Sequence, residues 1–382
     1  MVRRFLGLML CVLLTACSPR LIPLPITPGP TRAPETPTPW QIDAPVVTSP
    51  ALTAISMQDD KNGWGISETA VLRTNDGGQT WYDIGPKEAQ QLGYAATSSF
   101  LDRLHAWVLV ADPTDMLKGT LYRTADAGIT WDSIVVPFGG GDMEFLDEKQ
   151  GWMMASLGAG AGSMGVAVYR TMDAGSTWTL AYTNDPNQPN AGSSLPLGGM
   201  KDGLAATSMQ TAWIGGVIYT PGTIYLYRSN DAGATWQQAT IQPPKGYEQA
   251  ELNALAPRFV GAGTAFLPVT VASQNGVMLA IYVSRDGGNT WIVTPAMIPQ
   301  GGQPDFVSAQ DGFVWNGTNF FVSHDGAQTW TVVTPDVKFT DSFAGMDFLN
   351  ATTGWVITND ASGGHGLYKT TDGGVTWNVL GQ

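Results

Sequence analysis

The sequence is poor in cysteine, in charged side chains and in basic residues. Its only cysteines are Cys11 and Cys17, close to the N-terminus, so no disulfide can hold a folded domain together. Charged residues make up 13% of the 382 residues, too few for the solvent faces of many amphipathic helices. Lys and Arg number 19 against 32 Asp and Glu, and this acidic balance disfavours binding to nucleic acid.

The residues that are abundant favour an all-β protein. The chain has 46 Gly, 25 Pro and 14 Trp. Glycine-rich turns between aromatic and β-branched runs are typical of many short strands. A chain of this length can hold two ordinary domains or one large all-β domain, and the composition favours the second.

The N-terminus has the features of an export signal. Arg3 and Arg4 precede an apolar run, Phe5–Leu14, that is too short to span a membrane. Leu14-Thr15-Ala16-Cys17 resembles the bacterial lipobox, in which the cysteine is lipidated and becomes the new N-terminus. We therefore predict a signal peptide at 1–16, a lipidated Cys17, and a protein anchored to the outer side of the bacterial cell membrane or to the outer membrane. The alternative is an ordinary signal peptide with a chance cysteine.

A proline- and threonine-rich segment follows Cys17. Eight prolines lie between residues 18 and 39, a density typical of an extended polyproline-like stalk. We predict a lipidated stalk at 17–39 and a folded domain at 40–382. Removal of residues 1–16 takes away two arginines, which leaves 17 basic and 32 acidic residues and a net charge of −15.

An eight-residue pattern recurs seven times after the stalk. It begins with Thr or Ser, and every copy keeps an Asp, a Gly, a Thr and a final Trp. The mean spacing of about 49 residues lies in the range of propeller blades. The copies, called boxes below, are Thr74–Trp81, Thr124–Trp131, Thr171–Trp178, Ser229–Trp236, Ser284–Trp291, Ser323–Trp330 and Thr370–Trp377.

A second pattern alternates with the boxes and has an apolar anchor seven residues before an aromatic residue. The pairs are Met57 and Trp64, Phe100 and Trp107, Phe145 and Trp152, Phe259 and Phe266, Phe306 and Phe313, and Phe348 and Trp355. In the fourth repeat the pattern indicates Met209 and Trp213, with a turn three residues shorter. Each repeat therefore reads as strand A, turn, strand B, loop, strand C, box, strand D.

These two patterns predict an all-β fold: a seven-bladed β-propeller of four-stranded antiparallel blades. Residues 40–48 resemble one further outer strand, which we expect to pair with the last blade and close the ring. We expect the box aspartates to accept backbone hydrogen bonds in the C–D turn and to be structural. They are Asp76, Asp126, Asp173, Asp231, Asp286, Asp325 and Asp372.

The boxes resemble those of bacterial sialidases and other Asp-box (BNR) propellers. The paired pattern, clearest over residues 348–377, is similar to the photosystem II stability and assembly factor family. The resemblance covers residues 50–382 and implies an exported propeller, in some members a lipoprotein, that acts in assembly. It depends on repeat-forming residues and therefore supports the fold more than the function.

A glycoside hydrolase is the alternative function. The resemblance to sialidases would imply three arginines around a substrate carboxylate, with a Tyr nucleophile and an Asp acid/base. Five of the seven arginines past residue 50 lie in or directly before boxes, Arg103 lies in an A–B turn, and Arg258 alone begins an inner strand. Other glycosidases need only two carboxylates, which Asp142, Glu144, Glu248 and Glu251 could supply. Xyloglucanase-type Asp-box enzymes, however, use two propellers, and we predict one.

No cofactor or metal site is predicted. The three histidines are far apart, no Cys/His spacing suits a metal, and no glycine-rich stretch has the form of a phosphate loop.

The favoured function is a non-catalytic binding or scaffold propeller. Its protein or carbohydrate partner is expected on the face opposite the boxes, where the longest connections follow the third and fourth repeats. The candidate contact residues are Asn184, Asp185, Asn187, Tyr247, Glu248, Glu251 and Arg258. Tolerated insertions would explain the same loop lengths.

Overall fold

The computed structural model describes residues 44–89, 92, 96–261, 263–340 and 342–381. By its contacts the chain divides into Met1–Gln41 and Ile42–Gln382, and the fold below belongs to the second unit. The predicted signal peptide, Cys17 and the stalk lie outside the described residues and stay predictions. The described residues contain no helix that is long and apolar enough to cross a membrane.

The repeats fold into antiparallel sheets in which strands A to D follow one another. Repeat 1 has five strands: β1 (Val46–Val47), β2 (Leu52–Met57), β3 (Gly63–Ser67), β4 (Val71–Thr74) and β5 (Trp81–Asp83). Repeat 2 has β6 (Thr97–Phe100), β7 (Ala106–Ala111), β8 (Gly119–Thr124) and β9 (Asp132–Val136). Repeat 3 has β10 (Gly141–Phe145), β11 (Gly151–Gly160), β12 (Ser163–Thr171) and β13 (Thr179–Thr183).

Repeats 4 and 5 share one ten-stranded sheet. Its strands are β14 (Met200–Ala206), β15 (Ala212–Val217), β16 (Tyr225–Ser229), β17 (Gln237–Gln238), β18 (Glu251–Ala254), β19 (Arg258–Val260), β20 (Thr264–Ser273), β21 (Gly276–Ser284), β22 (Ile292–Val293) and β23 (Ile298–Pro299). The strands β14 to β17 and β19 to β22 form two meanders, and β18 joins them by pairing with both β15 and β20.

The last two repeats again form separate four-stranded sheets. Repeat 6 has β24 (Gln303–Phe306), β25 (Gly312–Trp315), β26 (Phe320–Ser323) and β27 (Thr331–Val333). Repeat 7 has β28 (Phe343–Phe348), β29 (Gly354–Asn359), β30 (His365–Thr370) and β31 (Asn378–Leu380). The fold is an all-β propeller of antiparallel blades. The described sheets are five separate blades and one larger sheet, in place of seven separate blades, because β18 bridges repeats 4 and 5.

The additional N-terminal strand was assigned to the wrong blade. Residues Val46 and Val47 pair with Tyr82 and Trp81 of the outer strand of repeat 1, and the last repeat is not their partner. The chain then crosses the seam between repeats 1 and 7, where the Ser49 hydroxyl donates to the Gly381 carbonyl at 2.5 Å. The repeat 7 sheet already ends in its own outer strand, β31. The N-terminal strand therefore belongs to the repeat 1 side of the junction between the first and last repeats.

The anchor of repeat 4 was also misidentified. Ala206 pairs with Ala212, the residue before Trp213, and so occupies the place that Phe145 has opposite Gly151 in repeat 3. The spacing of seven residues is therefore kept, and Met209 lies in the A–B turn with its side chain buried. The sequence reasoning missed Ala206 because it looked for a large apolar residue at the anchor position. Met209 fills the remaining volume in the same core cluster.

Side chains of the anchor pattern pack between neighbouring repeats. The strand B aromatic of one repeat contacts the strand A anchor of the next, with ring centroids 3.6 Å apart for Trp107 and Phe145. The other aromatic contacts of this kind are Trp64 with Phe100, Trp213 with Phe259, Phe266 with Phe306, and Phe313 with Phe348. Met57 and Trp355 share a core cluster across the seam. The core is therefore a set of clusters between repeats.

Each box turn contains two consecutive residues with left-handed backbone. The fourth and fifth residues have positive φ in all seven boxes, for example 78° and 95° at Gly77 and Gly78. Four of these positions hold alanine, which has a Cβ and is strained by about 1–2 kcal/mol in this conformation. They are Ala127, Ala174, Ala232 and Ala327. The glycine kept in every box suggests one such position, and the second was not apparent from the sequence because it often holds alanine.

We predict that this strain can be removed or introduced at equivalent box positions. Ala232→Gly should raise the free energy of unfolding by about 0.5–1 kcal/mol, because glycine adopts a φ of 64° without a steric penalty. Gly287→Ala should lower it by about 1 kcal/mol, since an added methyl group would meet no atom within 4 Å and only the φ of 71° opposes it. Urea unfolding at pH 7 measures both. The control Ala272→Gly, in strand β20, should lower the free energy of unfolding. A lower free energy of unfolding for Ala232→Gly as well would contradict strain at Ala232.

Candidate functional site

The box turns form a hydrogen-bonded network at one end of each repeat. In every box the Asp carboxylate accepts the N–H of the following Thr at 2.8–2.9 Å and the hydroxyl of the first residue at similar distance. The fourth residue donates its N–H to a carbonyl of the A–B turn, as Gly77 does to Lys61 at 2.8 Å. The A–B and C–D turns of a repeat thus lie together on one side, called the box face below.

The electrostatics of the boxes agree with a structural part for the aspartates. Burial of the Asp173 carboxyl raises its pKa, but the backbone and hydroxyl hydrogen bonds of Thr177 outweigh this, and the pKa is lowered. An acid held ionised by its own turn is a poor proton donor.

Basic side chains on the box face contact the strand B aromatic of their own repeat or the box turn of the next repeat. The Arg228 guanidinium lies 4.9 Å from the Trp213 ring centroid, and Arg73 lies 4.2 Å from that of Trp64. Arg123 donates to the carbonyls of Asp173 and Ala174 in the next repeat, at 3.1 Å each. These arginines link strand B aromatics and neighbouring box turns, so they do not form the carboxylate-binding triad that a sialidase needs.

The residue before each anchor faces strand A of the next repeat. Most of these positions hold a charged side chain. In order they are Ser56, Ser99, Glu144, Ala205, Arg258, Asp305 and Asp347. Glu144 and Arg258 were candidates from the sequence, whereas Asp305 and Asp347 were missed. The repeat pattern contained the signal for Asp305 and Asp347, because each directly precedes a Phe anchor as Glu144 does.

Four of these side chains accept a hydrogen bond from the anchor N–H of the next repeat. The Ala206 N–H donates to Glu144 Oε2 at 2.7 Å, and the Phe348 N–H donates to Asp305 Oδ2 at 2.7 Å. The Met57 N–H donates to Asp347 Oδ2 at 2.5 Å across the seam between repeats 7 and 1, and Ser99 receives the Phe145 N–H. Asp142, one pleat before Glu144, receives the Leu204 N–H in the same way. Each bond supplies an inner strand with a partner that no β-ladder provides.

Burial makes these carboxyl groups weak acids. It raises the pKa of Glu144 to about 7, an effect that the Asp142 charge strengthens while the Ala206 N–H and Arg258 oppose it. It raises the pKa of Asp347 to about 7 as well, and there the charge of Asp305 adds to the shift. The Arg258 charge acts on Glu144, Asp305 and Asp347 alike, so the inner strands of these repeats bring the three carboxyls within electrostatic reach of Arg258.

The loop after repeat 3 is packed against the propeller. Asn184 is buried, accepts the Val166 N–H at 2.8 Å and donates to the carbonyls of Met164 and Pro196. Its side chain therefore holds the loop and is unavailable to a partner. Asp185 is half-buried and binds the exposed Asn187 through its Oδ1.

A buried lysine that the sequence reasoning overlooked anchors the end of the same loop. The Lys201 ammonium donates to the carbonyl oxygens of Met164, Pro196, Leu197 and Gly199 at 2.7–3.0 Å. Burial lowers its pKa to about 8, so the group is still charged at neutral pH. This loop is thus a fixed part of the domain, and shortening it would open the core beneath it.

The connection between repeats 4 and 5 supplies the other predicted loop residues. Tyr247 is half-buried against a core cluster. Glu248 and Glu251 are exposed, and Arg258 is exposed on the inner strand β19. The structure thus separates the candidates into surface carboxylates and the inner-strand group around Arg258.

The described residues hold no cluster of three or more His, Cys, Asp or Glu side chains placed to bind a metal ion. The prediction of no cofactor is left as a prediction.

No protein-family profile matches the sequence. The chain is 23% identical over 292 residues to the photosystem II assembly lipoprotein Ycf48 of Synechococcus sp. (strain CC9902), which covers 67% of this chain and 79% of that protein. It is 25% identical over 265 residues to a xyloglucanase of Paenibacillus sp, which covers 60% of this chain and 24% of the enzyme.

Solved propellers share the fold at low sequence identity. A structure of Ycf48 bound to a D1 peptide has a TM-score of 0.50 and 16% identity, covering 87% of this chain and 94% of that one. The GH74 enzyme of Niastella koreensis has a TM-score of 0.60 and 15% identity, covering 87% of this chain but 55% of the enzyme. These similarities support the propeller fold.

We predict that the inner-strand carboxyls make the protein less stable as the pH rises toward neutrality. Unfolded Glu144 and Asp347 titrate near pH 4, and the folded groups near pH 7, so the folded chain binds more protons between these values. The free energy of unfolding should therefore fall by about 3 kcal/mol for each of the two carboxyls between about pH 4.5 and 7.5. Glu144→Gln should flatten this slope and stabilise the protein at pH 8, as urea unfolding across the range measures.

The matched control is Asp132→Asn, which removes an exposed carboxylate from strand β9. It should leave the slope unchanged. An unchanged slope in Glu144→Gln would show that this carboxyl is not the group that titrates.

Proposed function

We propose that this chain is a non-catalytic binding or scaffold propeller that acts outside the cytoplasm, similar in role to photosystem II assembly factors. The observation that carries the proposal is the similarity to Ycf48, which extends over most of both chains. The relative's solved structure contains a bound D1 peptide, which favours a protein segment as the partner here.

The architecture in this proposal is a ring of seven blades with Asp-box turns. Repeats 4 and 5 count as two blades, because each contains its own A-to-D meander and the contact of Trp213 with Phe259 repeats the junction of the other blades. The seven box turns share one hydrogen-bond pattern, which supports their assignment as Asp boxes.

The proposal places the protein at a membrane through a lipid on Cys17. The similarity to an assembly lipoprotein supports this anchor together with the lipobox-like sequence. The partner would meet the face opposite the boxes, here called the loop face, which carries the B–C and D–A connections.

The inner-strand carboxyls support a scaffold more than an enzyme. Asp142, Glu144, Asp305 and Asp347 each accept a backbone N–H of the neighbouring inner strand. Each of these bonds occupies one carboxyl oxygen and fixes the side chain to the neighbouring strand, which is a structural use of the group.

A glycoside hydrolase remains the second candidate. Two observations favour it: the similarity to GH74 enzymes, and carboxyls whose raised pKa suits a general acid. The similarity covers only a part of those enzymes.

Native electrophoresis of mildly solubilised membranes tests the proposal. The wild-type protein should migrate with a larger membrane complex, and Cys17→Ser should be lost from both the complex and the membrane fraction. In parallel, the purified protein should release no reducing sugar from xyloglucan. Migration of the protein alone, with a xyloglucan-cleaving activity that Glu144→Gln abolishes, would contradict the scaffold and support the hydrolase.

A further inference from the structure

The described part of the chain begins at the loop face. Strand β5 begins at the box turn of repeat 1, so its far end, Asp83, lies at the loop face. Strand β1 runs antiparallel to β5, and the Asp83 N–H donates to the Pro45 carbonyl at 2.9 Å. Ala44, the first described residue, therefore lies at the loop-face end of this outer strand.

A continuous surface on the loop face links repeats 3 and 4 with the connection to repeat 5. The Gly199 N–H donates to the carbonyl of Gly162, at the tip of the long β11–β12 hairpin, at 2.8 Å. A Cβ on Gly162 would lie 3.1 Å from the Tyr219 ring. The Gly222 N–H in turn donates to the Ala250 carbonyl at 2.8 Å. We call this surface the rim patch and define it by Asp185, Leu197, Asp202, Tyr219, Glu248 and Glu251.

The rim patch combines exposed apolar side chains with an excess of carboxylates. Tyr219 is 59% exposed and Leu197 is 40% exposed, beside backbone that hydrogen bonds hold in place. Asp202, Glu248 and Glu251 are all exposed, and Lys245 is an exposed cation in the same connection. An ordered aromatic residue within a negative surface fits a partner that carries both basic and apolar residues.

The charge of the patch decides between a lipid surface and a protein. Membrane surfaces rich in anionic lipids are negative and repel carboxylates. A basic protein segment therefore fits the patch better than the bilayer does.

We propose that the rim patch binds a basic, apolar-containing segment of a protein embedded in the same membrane that anchors this chain. The proposal rests on the anchor at Cys17 in the proposed function. It adds that the loop face is turned toward the membrane and that this patch, on repeats 3 to 5, is the contact.

The first experiment measures orientation with the lipidated full chain on vesicles of phosphatidylcholine and phosphatidylglycerol. Because Cys17 would be lipidated, Tyr219→Cys and Ile129→Cys each introduce one labelling site, the first in the rim patch and the second in a box turn where the side chain is 70% exposed. Energy transfer to a dye-labelled lipid should be more efficient from position 219 than from position 129. Equal transfer, or stronger transfer from 129, would overturn the orientation.

The second experiment measures binding of a labelled peptide of alternating Lys and Leu by fluorescence anisotropy. The double variant Glu248→Gln/Glu251→Gln should weaken binding about tenfold, while Asp132→Asn on the outer strand β9 should leave it unchanged. Equal affinities in all three proteins would overturn the patch. Insertion of the dye at position 219 into anionic vesicles without peptide would identify lipid as the ligand of the rim patch. That result would also contradict the proposed protein partner.

The two proposals can fail separately. If Cys17→Ser still fractionates with membranes, the lipid anchor and the partner in the same membrane are both wrong. The peptide affinities then still test whether the rim patch binds a basic segment. If the anchor holds and the Glu248/Glu251 variant binds normally, only the patch is wrong.

Discussion

The contact between the strand B aromatic of one repeat and the strand A anchor of the next is the interaction on which the propeller depends. No disulfide is available, and each four-stranded sheet must bury both of its faces against neighbours. The stacked pair of Trp107 and Phe145 shows the arrangement, in which two residues seven apart in the repeat pattern act across a junction. Such pairs contribute about 0.5–1.5 kcal/mol beyond the apolar area they bury. The ring must close for the first and last repeats to gain the same contacts.

This constraint explains what the sequence could and could not predict. The boxes and anchors recur because every junction needs the same contacts, so the all-β propeller and the strand order of each repeat were readable. The substitution of Ala206 and Met209 for one large anchor was not, because a core specifies volume more than residue type. The pairing of Val46 with Tyr82, and the bridge that β18 makes, depend on which sheet edges are open, and a repeat pattern contains no information about edges.

The candidate site was only partly predictable for a related reason. Glu144 was recognised as a candidate carboxylate and Arg258 as the one arginine at an inner strand. The sequence reasoning missed Asp305 and Asp347, on which the Arg258 charge also acts. Asn184 was expected to meet a partner and instead holds its own loop, because an amide can satisfy donors and acceptors on a buried backbone. The Lys201 ammonium also holds this loop, by donating to backbone carbonyls alone. The polar groups of the inner strands hydrogen-bond to the backbone of neighbouring repeats, and binding at the exposed loop face is our proposal.

A double-mutant cycle on Trp107 and Phe145 tests this account most directly. Trp107→Leu, Phe145→Leu and the double variant keep an apolar side chain at each position, and urea unfolding gives the coupling free energy between the two residues. The account predicts a coupling of about 0.5–1.5 kcal/mol and one cooperative transition in every variant, since repeats 2 and 3 support each other. Additive effects, or separate unfolding of one repeat, would contradict the claim that this contact holds the ring.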